Sequence, residues 1–255
     1  KEVETKLLEE TDYVLELKQS IEISKACAHI EGLRFPHYYP ELSSQKILTM
    51  DWIEGEHLSE FTSHNTNKKL GNKLGQALWN FYMFQIHELR QVHADPHPGN
   101  FLIDKTAHLI PIDFGYVKKI PLDFYNAYFA LLDPDSINNP GLFLEKMYAL
   151  EIIRTEDVQD DIDYFVDLFY KLLSLLTKPF HATEFDFSDP QFFGSIASLG
   201  EELSKDKRLR KMNGNRGSKH LLYINRTFFG LYSLLYDLKA KINTTEYSAI
   251  AKHTA

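Results

Sequence analysis

Residues 92–115 read Val-His-Ala-Asp-Pro-His-Pro-Gly-Asn-Phe-Leu-Ile-Asp and then Lys-Thr-Ala-His-Leu-Ile-Pro-Ile-Asp-Phe-Gly. Asp95 is followed five residues later by Asn100, and thirteen residues after that by the Asp113-Phe114-Gly115 tripeptide. Two short apolar strands, 101–103 and 108–112, flank a turn at 104–107, so the stretch predicts a polar loop feeding a metal-binding turn. Phosphoryl chemistry asks a protein chiefly for positioning and charge neutralisation. Asp95 is placed to meet an attacking hydroxyl or water, and Asp113 to hold Mg²⁺ between nucleotide phosphates. Asn100 adds an oxygen ligand without adding charge. Magnesium prefers octahedral oxygen ligation with few protein groups, so one Asp, one Asn and phosphate oxygens suffice. Gly99 and Gly115 let the backbone turn next to these ligands.

The rest of the chain narrows the context. Its 255 residues, 44% of them hydrophobic, are enough for one large domain or two small ones. A formal charge of −8 speaks against nucleic-acid binding, which usually needs a basic face. The single cysteine, Cys27, rules out an intramolecular disulfide and fits a reducing compartment. No stretch reaches the roughly 18 apolar residues of a membrane span. The expected location is therefore cytoplasmic, with peripheral attachment to an inner membrane as the variant. The first residues drop directly from Lys1 into a helical pattern, which reads as a fragment lacking an N-terminal region.

Residues 2–30 have helical periodicity, ending near Gly32. An extended connection is predicted at 35–43, a strand at 46–52 and a break at 54–56. A long helix follows at 66–91, with Leu70, Leu74, Leu78, Phe81 and Phe84 on one face. Beyond Gly115 the pattern is helical at 121–133, 140–151, 155–177, 189–204 and 218–242, with loops at 179–190 and 206–218. The fold class is α+β, leaning strongly to α. The aromatic helix 220–238 reads as core more readily than as a lipid-facing surface. A chance polar turn, or a transition-metal set of His93, Asp95 and His97, would also account for parts of the loop. No further His, Asp or Glu set of matching spacing supports the latter, and His97 reads as a loop-shaping or phosphate-facing group.

The Asp-x₄-Asn then Asp-Phe-Gly spacing is that of a kinase-type catalytic loop. Ala94 stands where phosphorylation-switched protein kinases carry arginine, and no activation segment fits between Gly115 and the helix starting near Pro121. The His-x-Asp-x-His-Pro-Gly-Asn form is shared by the aminoglycoside/choline-kinase type and the UbiB/AarF type. Glu10-Thr-Asp12-Tyr-Val-Leu-Glu16 resembles the Glu-x-Asp-Tyr-x-x-Glu signature of UbiB proteins. Leu48-Thr-Met-Asp-Trp-Ile-Glu-Gly-Glu-His-Leu58 resembles their hinge. The chain therefore looks like a UbiB-type atypical kinase-like protein, most specifically through residue 120.

That resemblance implies a kinase-like fold, with residues 1–56 a remnant of the nucleotide lobe and 57–255 a helical lobe. It implies that Glu16 pairs with a nucleotide-binding lysine, and that Glu10 and Asp12 engage an N-terminal Lys-x-Gly-Gln element. Met50, Asp51, Trp52 and Ile53 would form the hinge that meets adenine. The implied cofactors are ATP and Mg²⁺, and the implied partner beyond the nucleotide is an isoprenoid lipid or quinone precursor. The Lys-x-Gly-Gln motif, the alanine-rich nucleotide loop and the strand lysine would all precede Lys1. The expected function is an atypical kinase or ATPase supporting quinone or isoprenoid-lipid metabolism. A small-molecule phosphotransferase and a pseudokinase acting as a binding module are the other readings.

Overall fold

The computed structural model describes residues 12–206, 208 and 219–248. Glu10 and most of the loop expected at 206–218 lie outside the described residues. The chain divides into two compact units, 1–119 with 233–240, and 120–232 with 241–255. Among the described residues no helix is long and apolar enough to cross a membrane.

In the first unit, helix α1 (Tyr13–Cys27) starts where the Asp12 carboxylate accepts the amides of Val14 and Leu15, at 3.2 and 3.3 Å. That satisfies two of the donors a helix N-terminus leaves open. The helix ends at Ala28, earlier than its apolar period suggested. Gly32 instead makes a later turn at φ +82° that delivers Leu33 beside Leu109.

The strand expected at 46–52 is absent as such. Residues 37–39 pair antiparallel with 49–51 through Tyr39 N–H to Thr49 O (2.9 Å) and Asp51 N–H to His37 O (2.8 Å). Ser44 and Ile47 bond reciprocally at the tip, so residues 46 and 47 belong to a turn. The break expected at 54–56 is instead strand β1 (Gly55–His57). A Cβ on Gly55 would lie 2.8 Å from the Ile103 carbonyl oxygen, so the glycine is there for close strand approach.

Helix α2 (Leu58–His64) leads to α3 (Lys68–His87), capped by Asn67, whose side-chain oxygen accepts from Lys69 and Leu70. Its C-terminal half is buried almost all round, including Leu78, Trp79, Phe81, Tyr82, Met83 and Ile86. A helix hydrophobic on every side is a core helix.

Strands β2 (Gln91–His93), β3 (Phe101–Asp104), β4 (Leu109–Pro111) and β5 (Val117–Lys119) complete this unit. They form two small antiparallel sheets, ordered β1-β3-β4 and β2-β5. The β3–β4 turn is fixed by Asp104, whose side chain is nearly buried. Its carboxylate accepts from the amides of Thr106 (2.9 Å) and His108 (3.0 Å), from the Thr106 hydroxyl (2.7 Å), and from the Arg34 guanidinium (2.9 Å). Burial opposes ionisation of Asp104, but these donors outweigh it and hold the carboxyl down to about 2.

A depressed carboxylate pKa contributes stability above its unfolded value and loses it as pH falls through the folded value. The shift corresponds to about 2 kcal/mol of stabilisation at neutral pH. Asp104→Asn is expected to remove that contribution and to flatten the acid-induced loss of stability between pH 4 and pH 2. Denaturant titrations of both proteins at pH 7, 4 and 2.5 check this. A stability difference between them that does not shrink on acidification would contradict it.

The second unit is helical: α4 (Leu122–Leu131), α5 (Pro134–Ile137), α6 (Pro140–Ala149), α7 (Gln159–Leu176), α8 (Pro190–Lys205) and the first part of α9 (Lys219–Asp237). The helix expected at 121–133 is α4, and a new helix starts at Pro134, because the residue before proline is driven out of the α region and Asp133 caps the next helix. The helix expected at 218–242 stops at Asp237. Lys239 adopts φ +50°, and β7 (Lys241–Asn243) pairs with β6 (Glu184–Asp186) in the segment expected to be loop.

Two of the α9 aromatics pack into the core, while Tyr223, Phe229 and Tyr236 are half-buried. Phe228 and Tyr232 are buried, Tyr232 touches Phe187 and Phe192, and its hydroxyl donates to the Leu176 carbonyl at 2.6 Å.

Candidate functional site

The two ends of the 92–115 stretch are clamped together. Gln91 pairs with Lys119 and His93 with Val117, and the ladder continues through Ala94 N–H to Tyr116 O at 2.9 Å. Between these ends β3 and β4 form a hairpin in register Phe101 to Pro111. The Ile112 amide donates to the Asn100 carbonyl at 3.0 Å, which sets Asn100 beside the residue preceding Asp113.

On the loop side, the Asn100 amide nitrogen donates to the Asp95 carbonyl oxygen at 3.0 Å and lies 3.4 Å from its carboxylate. With the nitrogen turned to Asp95, the Asn100 side-chain oxygen is the atom available to a cation. Asp113 is exposed, and one of its oxygens accepts the Gly115 amide at 2.8 Å. Asp95, Asn100 and Asp113 thus rest on one short-range scaffold.

Glu16 comes to the same turn from α1, about a hundred residues away in sequence. A Cβ on Gly115 would lie 3.3 Å from an Asp113 oxygen and 3.5 Å from a Glu16 oxygen. Burial raises the Glu16 pKa, the Asp113 charge raises it further, and the Phe114 amide bonded to it works the other way. No lysine or arginine among the described residues pairs with Glu16. Two neighbouring carboxylates, one half-buried, make a local field that favours a cation.

The floor beneath the turn is supplied by α3. Gln85 accepts the His93 amide at 3.1 Å, and the Tyr82 hydroxyl lies 3.3 Å from His93 Nδ1. Phe114 is fully buried against Phe81 and His93. Burial pushes the His93 pKa down, against the pull of Asp113 and Asp95. Tyr82, Gln85 and Phe114 escaped the sequence reading as supports of the site. The available signal was two polar side chains, Tyr82 and Gln85, set inside an apolar helix.

The other expected site residues fall as follows. Asp12 caps α1. His97 is exposed and its Nδ1 accepts the Gly99 amide at 3.1 Å, so it shapes the loop. His93 is buried while His97 is not, and no group of three or more His, Cys, Asp or Glu among the described residues is placed to hold a metal, so the transition-metal set does not assemble.

Met50 forms a bridge with Tyr38, and Asp51 is engaged with the Tyr39 hydroxyl (2.8 Å) and the His37 amide (3.1 Å). Trp52 is 91% exposed and Ile53 half-buried. Gly55 pairs with Asp104 at the end of β3, and Glu54 forms an ion pair with Lys105 of the β3–β4 turn at 2.9 Å. The hinge segment therefore meets the Asp104 end of β3, and Asn100 precedes its other end. Four strand residues span about 13 Å.

Comparison with known proteins places this arrangement in context. Residues 1–134 match the ABC1 atypical kinase-like domain family. The chain is 35% identical over 113 residues to an uncharacterized chloroplastic aarF domain-containing protein kinase of Arabidopsis thaliana, covering 44% of this chain and 15% of that protein. It is 28% identical over 138 residues to AarF domain-containing kinase 1 of Drosophila melanogaster, covering 49% of this chain and 26% of that one. The matched stretches thus span about a quarter or less of those relatives. Among solved structures, the complex of Rv3197 with erythromycin from Mycobacterium tuberculosis superimposes with a TM-score of 0.67 at 21% identity, over 94% of this chain and 57% of that one. That likeness concerns the fold.

Proposed function

Because the chain belongs to the ABC1 atypical kinase-like family, that of the UbiB and AarF proteins, we propose that it carries the metal- and phosphate-facing part of an Mg·ATP site used for phosphoryl chemistry. The observation that carries this reading is the setting of Asn100 beside the Asp113 turn, with Asp95 bonded to Asn100 on the other side. Asn100 and Asp113 would hold Mg²⁺, which when bound neutralises phosphate charge. Asp95 would take the proton of the attacking group. Glu16, beside Asp113 and with no cationic partner among the described residues, suits a lysine or a second cation brought to the turn.

The resemblance to UbiB proteins points to a quinone precursor or isoprenoid lipid as the molecule served by this chemistry, with peripheral membrane contact as its setting. The test is thermal unfolding of the full-length gene product with ATP or ADP, with and without Mg²⁺, beside Asp113→Ala. Nucleotide at about 100 times its Kd adds about 2.7 kcal/mol to stability. A Mg²⁺-dependent rise in Tm that Asp113→Ala abolishes is the expected result. No Mg²⁺-dependent rise in the unaltered protein would overturn the reading. Stabilisation without ATP turnover would favour a binding module, and stabilisation enhanced by aminoglycosides or choline-like cations a small-molecule phosphotransferase.

A further inference from the structure

The second unit contains a feature that the phosphoryl site does not use. A cleft of about 570 Å³ opens between α5, the last turns of α7 and the segment that follows it. This lies in the size range of small-molecule sites, roughly 300–1,000 Å³. Tyr170 and Ser174 of α7 and its C-cap Thr177 reach it from one face, at spacings of four and three residues. Pro134 and Ile137 line it from α5, and Phe180 from the chain beyond α7.

Its walls are fixed before any ligand arrives. The Thr177 hydroxyl donates to the Leu173 carbonyl at 2.7 Å. The Ala182 carbonyl accepts the Thr244 hydroxyl at 2.6 Å, and the Thr183 carbonyl accepts the Thr244 amide at 3.0 Å and the Thr245 hydroxyl at 3.2 Å. Tyr170 is 48% exposed, and its ring meets Phe143 edge-on with centroids 6.2 Å apart. An aromatic face is thereby held at the cleft while still open to solvent.

Two features define the chemistry that would fit. The Ser174 Oγ is buried without a hydrogen-bond partner. A buried polar atom left unpaired costs about 1–3 kcal/mol, which a bound group able to bond it would recover. In addition, no Asp, Glu, Lys or Arg lines the cleft, whereas Asn138, His181 and Thr183 add donors and acceptors to its wall. A charged ligand would lose its hydration without gaining an ionic partner.

We propose that this cleft binds an uncharged small molecule in which an apolar ring or chain carries hydroxyl or carbonyl groups. The apolar part rests on Tyr170, Phe180 and Ile137, and the polar part bonds Ser174.

The probe is 4-fluorobenzyl alcohol, titrated against the full chain by ¹⁹F NMR, with 4-fluorobenzoate and 4-fluorobenzylammonium as charged counterparts of similar size. The neutral probe is expected to bind at least about tenfold more tightly than either ion, a difference of about 1.4 kcal/mol. Tyr170→Ala and Ser174→Leu are each expected to weaken it by about tenfold. Tyr170 is half exposed, so its truncation leaves the fold intact and keeps the test independent of how Ser174→Leu folds. Neutral and charged probes binding alike, no binding of the neutral probe, or affinity unchanged in Tyr170→Ala would overturn the proposal.

Discussion

On the proposed phosphoryl-transfer reading, Asp95→Asn in the full-length protein is expected to lower ATP turnover by about 10²–10⁴-fold, the usual contribution of a positioned general base. The substitution is close to isosteric. The Asn100 amide nitrogen keeps its stronger bond, to the residue-95 carbonyl oxygen, because that acceptor is backbone. The loop therefore keeps its shape, and what disappears is a basic oxygen and one negative charge. Removing a negative charge near a triphosphate favours nucleotide binding, so Mg·ATP affinity should hold or rise slightly. The pattern to look for is a collapse of turnover with affinity preserved, which marks a group acting in the transition state rather than in binding. ADP release measured alongside nucleotide titration reads both. Turnover within about threefold of the unaltered protein would remove Asp95 from the proposed role.

The legible part of this site was the part built from local sequence. Asp95, Asn100 and Asp113 sit on one loop and one hairpin, so their spacing carries most of their geometry. The strands around the hairpin were read to within a residue or two, because apolar runs bounded by a polar turn leave few alternatives. What composition and period could not supply were long-range contacts. Glu16 was singled out by resemblance as the partner of a nucleotide-binding lysine, and its place beside Asp113 came only with the structure, since a glutamate on a helix with i,i+4 neighbours looks like any solvated carboxylate. The roles of Tyr82 and Gln85 depend on α3 packing beneath His93, and nothing local encodes that. Trp52 illustrates the converse. Expected within a strand at 46–52, it stands 91% exposed just past the 37–39/49–51 pairing, which stops at Asp51. At 241–243 helical periodicity simply continued past the real end of α9. Ile242 was needed opposite Phe185 in a two-stranded ribbon whose strands are separated by residues 187–240.

Gly71 shows how a single long-range contact can reverse what local rules predict. It lies in the first turns of α3, where alanine would be the better helix former by about 1 kcal/mol. A Cβ there, however, would stand 2.3 Å from the Leu238 carbonyl oxygen, with the carbonyl carbon at 3.5 Å. Both residues are buried and both sides of the contact are backbone, so no side chain can rotate away. Leu238 is itself held by the hydrogen bond its amide donates to the Leu234 carbonyl at 3.0 Å and by the left-handed turn at Lys239. Accommodating the methyl group means separating residues 233–240 from α3, the helix that carries Tyr82 and Gln85 under the candidate site. Gly71→Ala should therefore destabilise its unit by about 2 kcal/mol net, since overpacking typically costs 1–3 kcal/mol and here outweighs the propensity gain. Gly194 in α8 is the control, because a Cβ there meets nothing within 4 Å. Gly194→Ala should stabilise by about 0.5–1 kcal/mol. Denaturant melts, read with hydrogen exchange at the α3 amides, give opposite signs for the two substitutions if the approach of Leu238 to Gly71 governs. Equal gains at both positions would show that helix propensity alone decides, and that residues 233–240 do not rest on α3 in solution.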